Sequence, residues 1–347
     1  MEHLELQINI DVEFLKAFSN AGLETLTALE GLRMYAGSRE DLAKDYLDEN
    51  HIGFNSTLDE YLFEIYEPRE VMSRKKIIGL DASSIRLAES SKGVVISVKG
   101  AIVVKDIDNS ISIQSLGPFL FYINKMNFKK ILREYSDTLR YSSGYDFYLH
   151  AQRALTEMLE RRMQGYVAER FSDSIILFDG CLVANNFSHY MNTLQKILET
   201  ASRNKNIILA FSKTSFLQIS GEHLQSIYIE KEPPYIIDLT NALKRYCSYE
   251  VRTLGRVCLT RLSFGSLGYR VDVPVEYDIP SIFGALLKSD ALIYGYPETL
   301  ILAHNYSTFT KLDVITMHSI LKKMNVELLY PEYIRDILFH PIDGDYK

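Results

Sequence analysis

The stretch KKIIGLDASS, residues 75–84, decides the fold, because a short apolar run in it leads directly to Asp81 and then to small side chains. A short apolar run bounded by polar residues is typical of a buried strand. Turn sequences separate it from two further extended segments, GVVISVKGAIVVKD at 93–106 and ISIQSLGPFLFYI at 111–123. The pattern predicts three consecutive antiparallel strands, with Asp81 at the end of the first.

Downstream of these strands, helical and extended patterns alternate. Residues 146–171 are rich in Ala, Leu, Met, Glu and Arg, which favour a long helix. The order continues with the apolar strand SIILFDG at 174–180, a helix near 189–203 and the strand NIILAFSK at 206–213. This succession predicts an α/β fold with one mixed sheet and flanking helices. Farther on we expect a helix near 238–247, extended segments over 251–275, and helices near 280–288, 299–309 and 312–324.

The chain divides into three predicted parts: an acidic helical N-terminal region at 1–74, an α/β core at 75–310 and a C-terminal helical extension at 311–347. Apolar residues recur three or four apart over 11–50, which indicates a helical hairpin interrupted near Gly37-Ser38. Residues 1–70 hold 16 Asp/Glu and 5 Lys/Arg, a charge of −11, so the remaining residues carry −7 − (−11) = +4. This separation of charge has two explanations. The acidic N-terminal segment can face a partner protein while the rest of the chain binds phosphate, or the segment can be an ordinary helical face exposed to solvent.

Composition excludes several classes of protein. No apolar run reaches the roughly 18 residues that a membrane-spanning helix needs, so we expect no membrane association. The N-terminus lacks the basic-then-apolar layout of a signal peptide, which predicts a cytoplasmic protein. Disulfides and zinc sites are not expected, because the three cysteines are widely separated and lack ligand spacing: Cys181, Cys247 and Cys258.

Three acidic positions can meet at one edge of the predicted sheet. Asp81 and Asp179 both follow apolar strands, and an α/β sheet places its ligands at the carboxyl ends of its strands. The long helix between them carries Glu157 and Glu160 on one face, and either can point toward the aspartates. Three gathered carboxylates repel one another unless divalent cations neutralise them. The set predicts a Mg²⁺ or Mn²⁺ site, although each residue alone also suits a turn cap or a surface ion pair.

An ordered series of short motifs carries a more specific resemblance. Between residues 76 and 310 the chain contains, in this order, LDASS, MLERR, IILFDGCL, AFSKTS, YRVDVP and YGYPETLILAHNYS. In order and spacing the series resembles the NurA family of archaeal and bacterial DNA nucleases. The resemblance implies an RNase H-like fold, similar to the Piwi nuclease core, and a centre with two metal ions, Mn²⁺ or Mg²⁺. It identifies the catalytic residues as Asp81, Glu160, Asp179, Tyr296 and His304.

The same resemblance distributes the roles within this centre. The expected metal ligands are Asp81, Glu160, Asp179 and His304. Glu160 is preferred because it stands 19 residues before Asp179 in a Leu-Glu context like the family's, and Glu157 remains the fallback ligand. The Tyr296 hydroxyl is expected to reach a phosphate or a water.

Contacts to DNA phosphate are expected from lysines. Lys213 matches a family lysine at the end of a strand. A basic cluster with neighbouring aromatic residues adds further candidates for phosphate contact and base stacking: Lys125, Lys129, Lys130, Arg133, Tyr122, Phe128 and Tyr135. A structural helix face explains this cluster equally well. Two positions depart from the family pattern. Ala82 stands where the family has glycine, and Asn305 replaces an arginine, which removes one expected phosphate contact.

The resemblance also implies a cellular role. It predicts a 5′–3′ exonuclease, with single-strand endonuclease activity, that acts on single- and double-stranded DNA ends in end resection for recombination and repair. Family members work as homodimers docked on a HerA-type hexameric ATPase, and this chain lacks the GxxxxGK[ST] motif of such motors. The acidic N-terminal region and VELLYPEYIRDILF at 326–339 are the candidate contacts. The alternative is a catalytically weakened NurA-like paralogue that serves as a DNA-binding or adaptor protein.

Overall fold

The described residues form one dominant mixed sheet of eleven strands, and helices pack on both of its faces. The computed structural model describes residues 12–36, 63–132, 144–182, 188–213, 218–219, 222–223, 231–246 and 253–330. Within this part of the chain, no helix is long and apolar enough to cross a membrane.

The described residues of the N-terminal part form one long helix, a 3-10 turn and two strands. Helix α1 spans Val12–Leu26, a 3-10 turn spans Thr27–Leu29, and the strands are β1, Arg33–Ala36, and β2, Glu64–Tyr66. The predicted helical hairpin is wrong at residues 33–36. Gly31 adopts a φ of +71°, which ends the helical path, and the alternating burial of the next residues is that of a strand. The remainder of that predicted hairpin lies outside the described residues.

Five strands form the centre of the sheet. They are β3, Lys76–Ser90; β4, Gly93–Lys105; β5, Ile111–Ile123; β6, Ser174–Asp179; and β7, Ile207–Ser212. The first three are antiparallel hairpin partners, whereas β6 and β7 run parallel to β3. In space they stand in the order β5, β4, β3, β6, β7. This is the arrangement of an RNase H-like core, so the predicted fold class is confirmed.

Strand β3 is longer than its sequence pattern predicted. It continues past Asp81 to Ser90, because its second half stays paired with β4 after its pairing with β6 has ended. The last parallel pair joins Leu80 to Phe178. Asp81 and Asp179 therefore occupy the next, equivalent positions on two adjacent strands, at the point where those strands separate.

The remaining elements follow the predicted order closely. Downstream of β5 come α2, Phe128–Ile131; α3, Gly144–Arg170; α4, Ser188–Arg203; β8, Gln218–Ile219; β9, Glu222–His223; β10, Tyr235–Asp238; α5, Thr240–Tyr246; β11, Arg256–Arg261; β12, Tyr269–Val273; α6, Ile279–Ser289; β13, Leu292–Ile293; β14, Tyr296–Pro297; α7, Glu298–Ser307; α8, Lys311–Lys323; and β15, Glu327–Leu329. The sheet is extended beyond β7 by β12, β11, β10 and β2, and beside β3 by β1 and β15.

The C-terminal extension is helical only as far as Lys323. Asn325 has a φ of +58°, which ends α8, and the next residues form β15, which pairs in parallel with β1. The prediction of a wholly helical extension is therefore wrong at β15, since three residues gain a strand only from a partner almost 300 positions away in sequence. Residues 331–347 lie outside the described part, and the predicted boundaries near 74 and 310 stay predictions.

Alternation along the central strands divides the core into two layers. Ile78, Leu80, Ile176 and Phe178 face the layer formed by α1, α3 and α4. Ile77, Ile175 and Leu177 face the opposite layer, which α6 and α7 cover. Because residues alternate between faces, Asp81 and Asp179 point to the α6 and α7 side. The fold thus brings α7 over both aspartates.

Helix α7 is seated on the sheet by close backbone contact and a buried ion network. A Cβ on Gly79 would lie 2.8 Å from the Thr299 carbonyl oxygen, so only glycine lets the helix approach β3 this closely. Lys105 of β4 binds Asp290 and Glu298, each at 3.1 Å, and Asp290 accepts the backbone N–H of Thr299 at 3.1 Å. The network fixes the start of the helix that reaches Asp81.

We expect Lys105→Met to destabilise the fold by about 3 kcal/mol, because removing one partner of a buried ion pair leaves an uncompensated charge. Asp290 has a side chain with no exposed surface and would be that charge. Urea unfolding measures the loss. Lys130→Met is the control, since Lys130 binds Glu24 on the surface with 79% of its side chain exposed. An unchanged midpoint for Lys105→Met would show that the network does not stabilise the fold.

Candidate metal centre

Three side chains from different elements converge where β3 and β6 separate. Asp81, Asp179 and His304 each offer a ligand atom, and these atoms all lie within 4.8 Å of one another. The aspartates come from adjacent parallel strands, and the histidine comes from α7 above them. A carboxylate pair with an imidazole matches the oxygen and nitrogen ligands of Mn²⁺, and the two carboxylates alone suit Mg²⁺. The donor set therefore fits a divalent cation.

Asp81 is held by two groups of α7. His304 Nδ1 lies 2.9 Å from Asp81 Oδ2, and the Ser307 hydroxyl donates to the same oxygen at 2.7 Å. The Asp81 side chain is 11% exposed, whereas that of His304 is 49% exposed. The two contacts fix one carboxylate oxygen of Asp81, and the half-exposed imidazole stays accessible to a cation or a phosphate.

Asp179 has partners on the opposite side of the cluster. The Tyr296 hydroxyl donates to Asp179 Oδ1 at 3.3 Å, and Lys213 Nζ lies 2.5 Å from Oδ2. Tyr296 is itself packed edge-on against Phe211 and Tyr269. The sequence motifs that carry Tyr296 and Lys213 are thus brought to one carboxylate, and Lys213 supplies a positive charge beside it.

The two glutamates of α3 have different hydrogen-bond partners. Glu160 accepts a hydrogen bond from Gln164 Nε2 at 2.8 Å, and its carboxylate lies close enough to both aspartates to be affected by their charges. Glu157 binds Arg161 at 3.4 Å instead. Glu160 is not part of the 4.8 Å group, and the charges of Asp81 and Asp179 contribute to raising its pKa. The choice between Glu160 and Glu157 as a ligand stays a prediction.

Burial and like charge perturb the acids of this cluster. Burial, with smaller contributions from Glu157, Asp81 and Asp179, raises the pKa of Glu160 to about 8. Burial also raises the pKa of Asp179, against the lowering effect of Lys213. The pKa of Tyr296 is raised, first by burial and then by the Asp179 charge, so the phenol stays a proton donor. Such shifts concentrate at functional sites, and a bound cation would restore the charged carboxylates.

The basic and aromatic cluster after β5 is not gathered at this centre. Lys129 and Lys130 lie on α2, which follows β5. The end of β5 pairs with Val94 of β4, and Val94 pairs with Glu89 of β3. Glu89 lies eight residues farther along β3 than Asp81. The predicted stacking role of Tyr122 and Phe128 is wrong, because they are only 2% and 3% exposed. Arg133 and Tyr135 lie outside the described residues.

Ser307 is the residue of the centre that sequence reasoning missed. It is fully buried and follows His304 by three residues, so both side chains lie on the same face of α7. Its hydroxyl donates to Asp81, and Ser83 donates to its carbonyl oxygen at 2.5 Å. The spacing was the available signal, but a single serine in an alanine-histidine motif gives no indication of its partner.

We expect Ser307→Ala to lower metal-dependent activity about tenfold, because it removes a group that orients a ligand carboxylate. The half-saturating Mn²⁺ concentration should rise with it. Ser319→Ala provides the control, since that serine is exposed on α8 and donates only to the Ile315 carbonyl of its own helix. Equal activity and equal Mn²⁺ dependence of Ser307→Ala and the wild type would contradict the positioning role.

The RNase H-like core carries an acidic centre whose ligands suit a divalent cation, an arrangement expected of a metal-dependent nuclease. A family model described as the NurA domain matches residues 75–309. The chain belongs to the NurA family. No match was found among the curated proteins.

Solved structures similar to this chain come from several organisms. The NurA nuclease from Sulfolobus solfataricus is 16% identical, with 80% of this chain and 90% of that chain covered and a TM-score of 0.45. Endonuclease V from Bacillus subtilis is 13% identical over 74% of this chain and 87% of that one, at a TM-score of 0.36. Endonuclease V from Streptomyces avermitilis is 12% identical, with 89% and 94% covered and a TM-score of 0.35.

Proposed function

We propose that this protein hydrolyses DNA phosphodiester bonds with two divalent cations, Mn²⁺ or Mg²⁺, held by Asp81, Asp179, Glu160 and His304. The observation that carries the proposal is the convergence of Asp81, Asp179 and His304 ligand atoms within 4.8 Å. Lys213 offsets the charge of Asp179 on one side. The oxygen ligands of the two aspartates and the imidazole of His304 together suit a hard divalent cation. Membership of the NurA family supports the choice of DNA as substrate.

Each side chain has a distinct task in this proposal. When bound, the cations polarise the scissile phosphate and activate water at neutral pH. Asp81 is oriented for binding by His304 and Ser307, and Glu160 extends the ligand set from α3. Tyr296, whose raised pKa keeps its proton, donates a hydrogen bond either to Asp179 or to a phosphate oxygen that enters the centre.

Lys213 supports a contact with the DNA backbone. Its ammonium group lies at Asp179, and its side chain is 38% exposed, so it stands at the entrance of the centre rather than deep within it. When cations take over the neutralisation of Asp179, Lys213 becomes available for a phosphate. Lys129 and Lys130 serve a more distant part of the strand in this proposal, since they lie beyond β5.

An assay with end-labelled DNA tests the proposal. We expect release of nucleotides in the presence of Mn²⁺, from single strands and from duplex ends, and complete loss of release with excess EDTA. Labels at either end of a strand separate 5′–3′ from 3′–5′ degradation, and a circular single strand reveals endonuclease activity. DNA binding without cleavage at any Mn²⁺ or Mg²⁺ concentration would favour the adaptor alternative, for which the replacement of the family arginine by Asn305 is the motivating feature.

We further propose that the protein works in the cytoplasm as a homodimer with a HerA-type hexameric ATPase in DNA end resection for recombination and repair. Family membership supports these proposals. The candidate contacts, the acidic N-terminal region and residues 326–339, fall partly outside the described residues. Light scattering at micromolar concentration, with and without the ATPase, tests both contacts. A strict monomer, or separate elution of the two proteins, would refute the corresponding assembly.

A further inference from the structure

Two oppositely charged side chains on β12 are buried and bound to each other. Arg270 and Asp272 stand two residues apart and so share one face of the strand, the face opposite Val271 and Val273. The guanidinium donates from Nε to Oδ1 at 2.8 Å and from Nη2 to Oδ2 at 3.0 Å. Arg270 is 3% exposed and Asp272 has no exposed surface. A buried pair of this kind is often replaceable by apolar residues without loss of stability, so stability alone does not account for it.

Asp272 has a third contact that leads to the metal centre. Its Oδ2 accepts the backbone N–H of Leu182 at 2.9 Å. Leu182 lies three residues after Asp179 and is fully buried, so its N–H needs an acceptor within the protein. The charged pair is thus attached to the segment along which the chain leaves the metal centre.

The segment after Asp179 needs such attachment because it begins with a glycine, whose backbone can adopt many conformations. Gly180 adopts a φ of +127°, and a Cβ placed on it would meet no atom within 4 Å. Neighbouring strands bind the segment at its start, where Gly180 donates to the Phe211 carbonyl at 2.7 Å and accepts from Ser212 at 2.9 Å. At its end, Leu182 accepts from the backbone of Leu254 at 2.8 Å and donates to Asp272.

We propose that the Arg270–Asp272 pair positions Asp179 for cation binding by holding the turn that follows β6. The inference rests on the proposed function, since it takes the Asp179 cluster to be a metal centre. Asp179 must stay close to Asp81 in spite of their like charges, and a turn free to shift would let the two carboxylates separate. Arg270 holds the Asp272 side chain in place by two hydrogen bonds, and Asp272 in turn holds the Leu182 N–H. This gives the YRVDVP motif, at residues 269–274, a role two strands away from Asp179.

Two double variants separate the acceptor from the charges. Arg270→Gln with Asp272→Asn removes both charges but keeps a side-chain oxygen that can accept the Leu182 N–H. Arg270→Met with Asp272→Leu removes the charges and the acceptor together at similar volume. Mn²⁺ binding to the full-length protein without DNA is measured by electron paramagnetic resonance, beside melting curves and Mn²⁺-dependent cleavage.

We expect the variant that lacks the acceptor to bind Mn²⁺ about tenfold more weakly, as is typical when an outer-shell partner is removed. The amide variant should bind like the wild type. Normal binding in both variants would overturn the inference, and so would equal weakening in both, because the charges and not the acceptor would then matter. If the wild type did not bind Mn²⁺, that result would instead contradict the proposed function itself.

A measurement on the wild type keeps the inference testable even where a variant does not fold. Amide hydrogen exchange at Leu182 should be as slow as in β6, because its N–H is buried and hydrogen-bonded to Asp272. Rapid exchange at Leu182 beside slow exchange in β6 would show that Asp272 does not hold the turn, and the inference would fail.

Discussion

Asp81→Asn and Asp179→Asn should each lower Mn²⁺-dependent DNA cleavage by about a thousandfold or more, because each removes a charged ligand from a centre whose cations contribute several kcal/mol to catalysis. Asparagine keeps the shape and one acceptor oxygen, so Ser307 and Tyr296 retain partners. The measurement is the initial rate of nucleotide release from labelled DNA under single-turnover conditions.

The same variants should fold at least as well as the wild type when no metal is present. Asp179 is buried and lies beside Asp81, which raises the pKa of Asp179 and makes its charged form costly. A neutral asparagine removes that repulsion, so the melting temperature should stay constant or rise. Saturating Mn²⁺ should then stabilise the wild type, by about 2.7 kcal/mol at a hundred times its dissociation constant, and leave both variants nearly unaffected.

Asp173→Asn is the matched control for these two substitutions. Asp173 directly precedes β6, its side chain is 73% exposed, and it forms an ion pair with Lys75. Asparagine also tolerates the φ of +49° at this position. We expect wild-type activity and wild-type stabilisation by Mn²⁺. Full activity of both Asp81→Asn and Asp179→Asn would exclude the proposed centre, whereas a loss shared with Asp173→Asn would indicate a general effect of the substitution.

The two aspartates could be predicted from the sequence because their signal is local. Each directly follows an apolar run long enough to be a buried strand, and the ends of parallel strands in an α/β sheet meet at one edge. The structure places Asp81 and Asp179 one residue beyond the last pair of β3 and β6. The helical pattern of α3 likewise located both glutamates on one face, but local spacing could not decide between them.

The features that escaped prediction depend on partners distant in the sequence. The role of Ser307 depends on its hydrogen bond to Asp81, which lies 226 positions earlier. The role of Asp272 depends on its hydrogen bond with Leu182, which lies 90 positions earlier. Strands β1 and β15 are too short to carry a pattern of their own and exist through pairing with each other. Neighbouring lysines in the sequence led us to predict base stacking by Tyr122 and Phe128, yet both side chains are buried, whereas Lys129 and Lys130 are exposed.

Glu160→Gln should lower cleavage about a hundredfold or more, whereas Glu157→Gln should leave activity within a fewfold of the wild type; a hundredfold corresponds to nearly 3 kcal/mol of lost transition-state stabilisation. The two residues stand on one face of the same helix, three positions apart, so each variant controls for the other. The physical reason lies in their surroundings: the charges of Arg161 and of both aspartates act on Glu160, whereas Glu157 forms an ion pair with Arg161.

Counting bound ions separates a ligand role of Glu160 from a merely structural one. With Asp81, Asp179 and His304 gathered within 4.8 Å, one cation already has a ligand set. A second cation needs further negative charge, and Glu160 is the nearby acid that can supply it. We expect two Mn²⁺ ions in the wild type and one in Glu160→Gln by paramagnetic resonance. If Glu160→Gln bound two ions and Glu157→Gln bound one, the ligand of the second ion would be Glu157 and not Glu160.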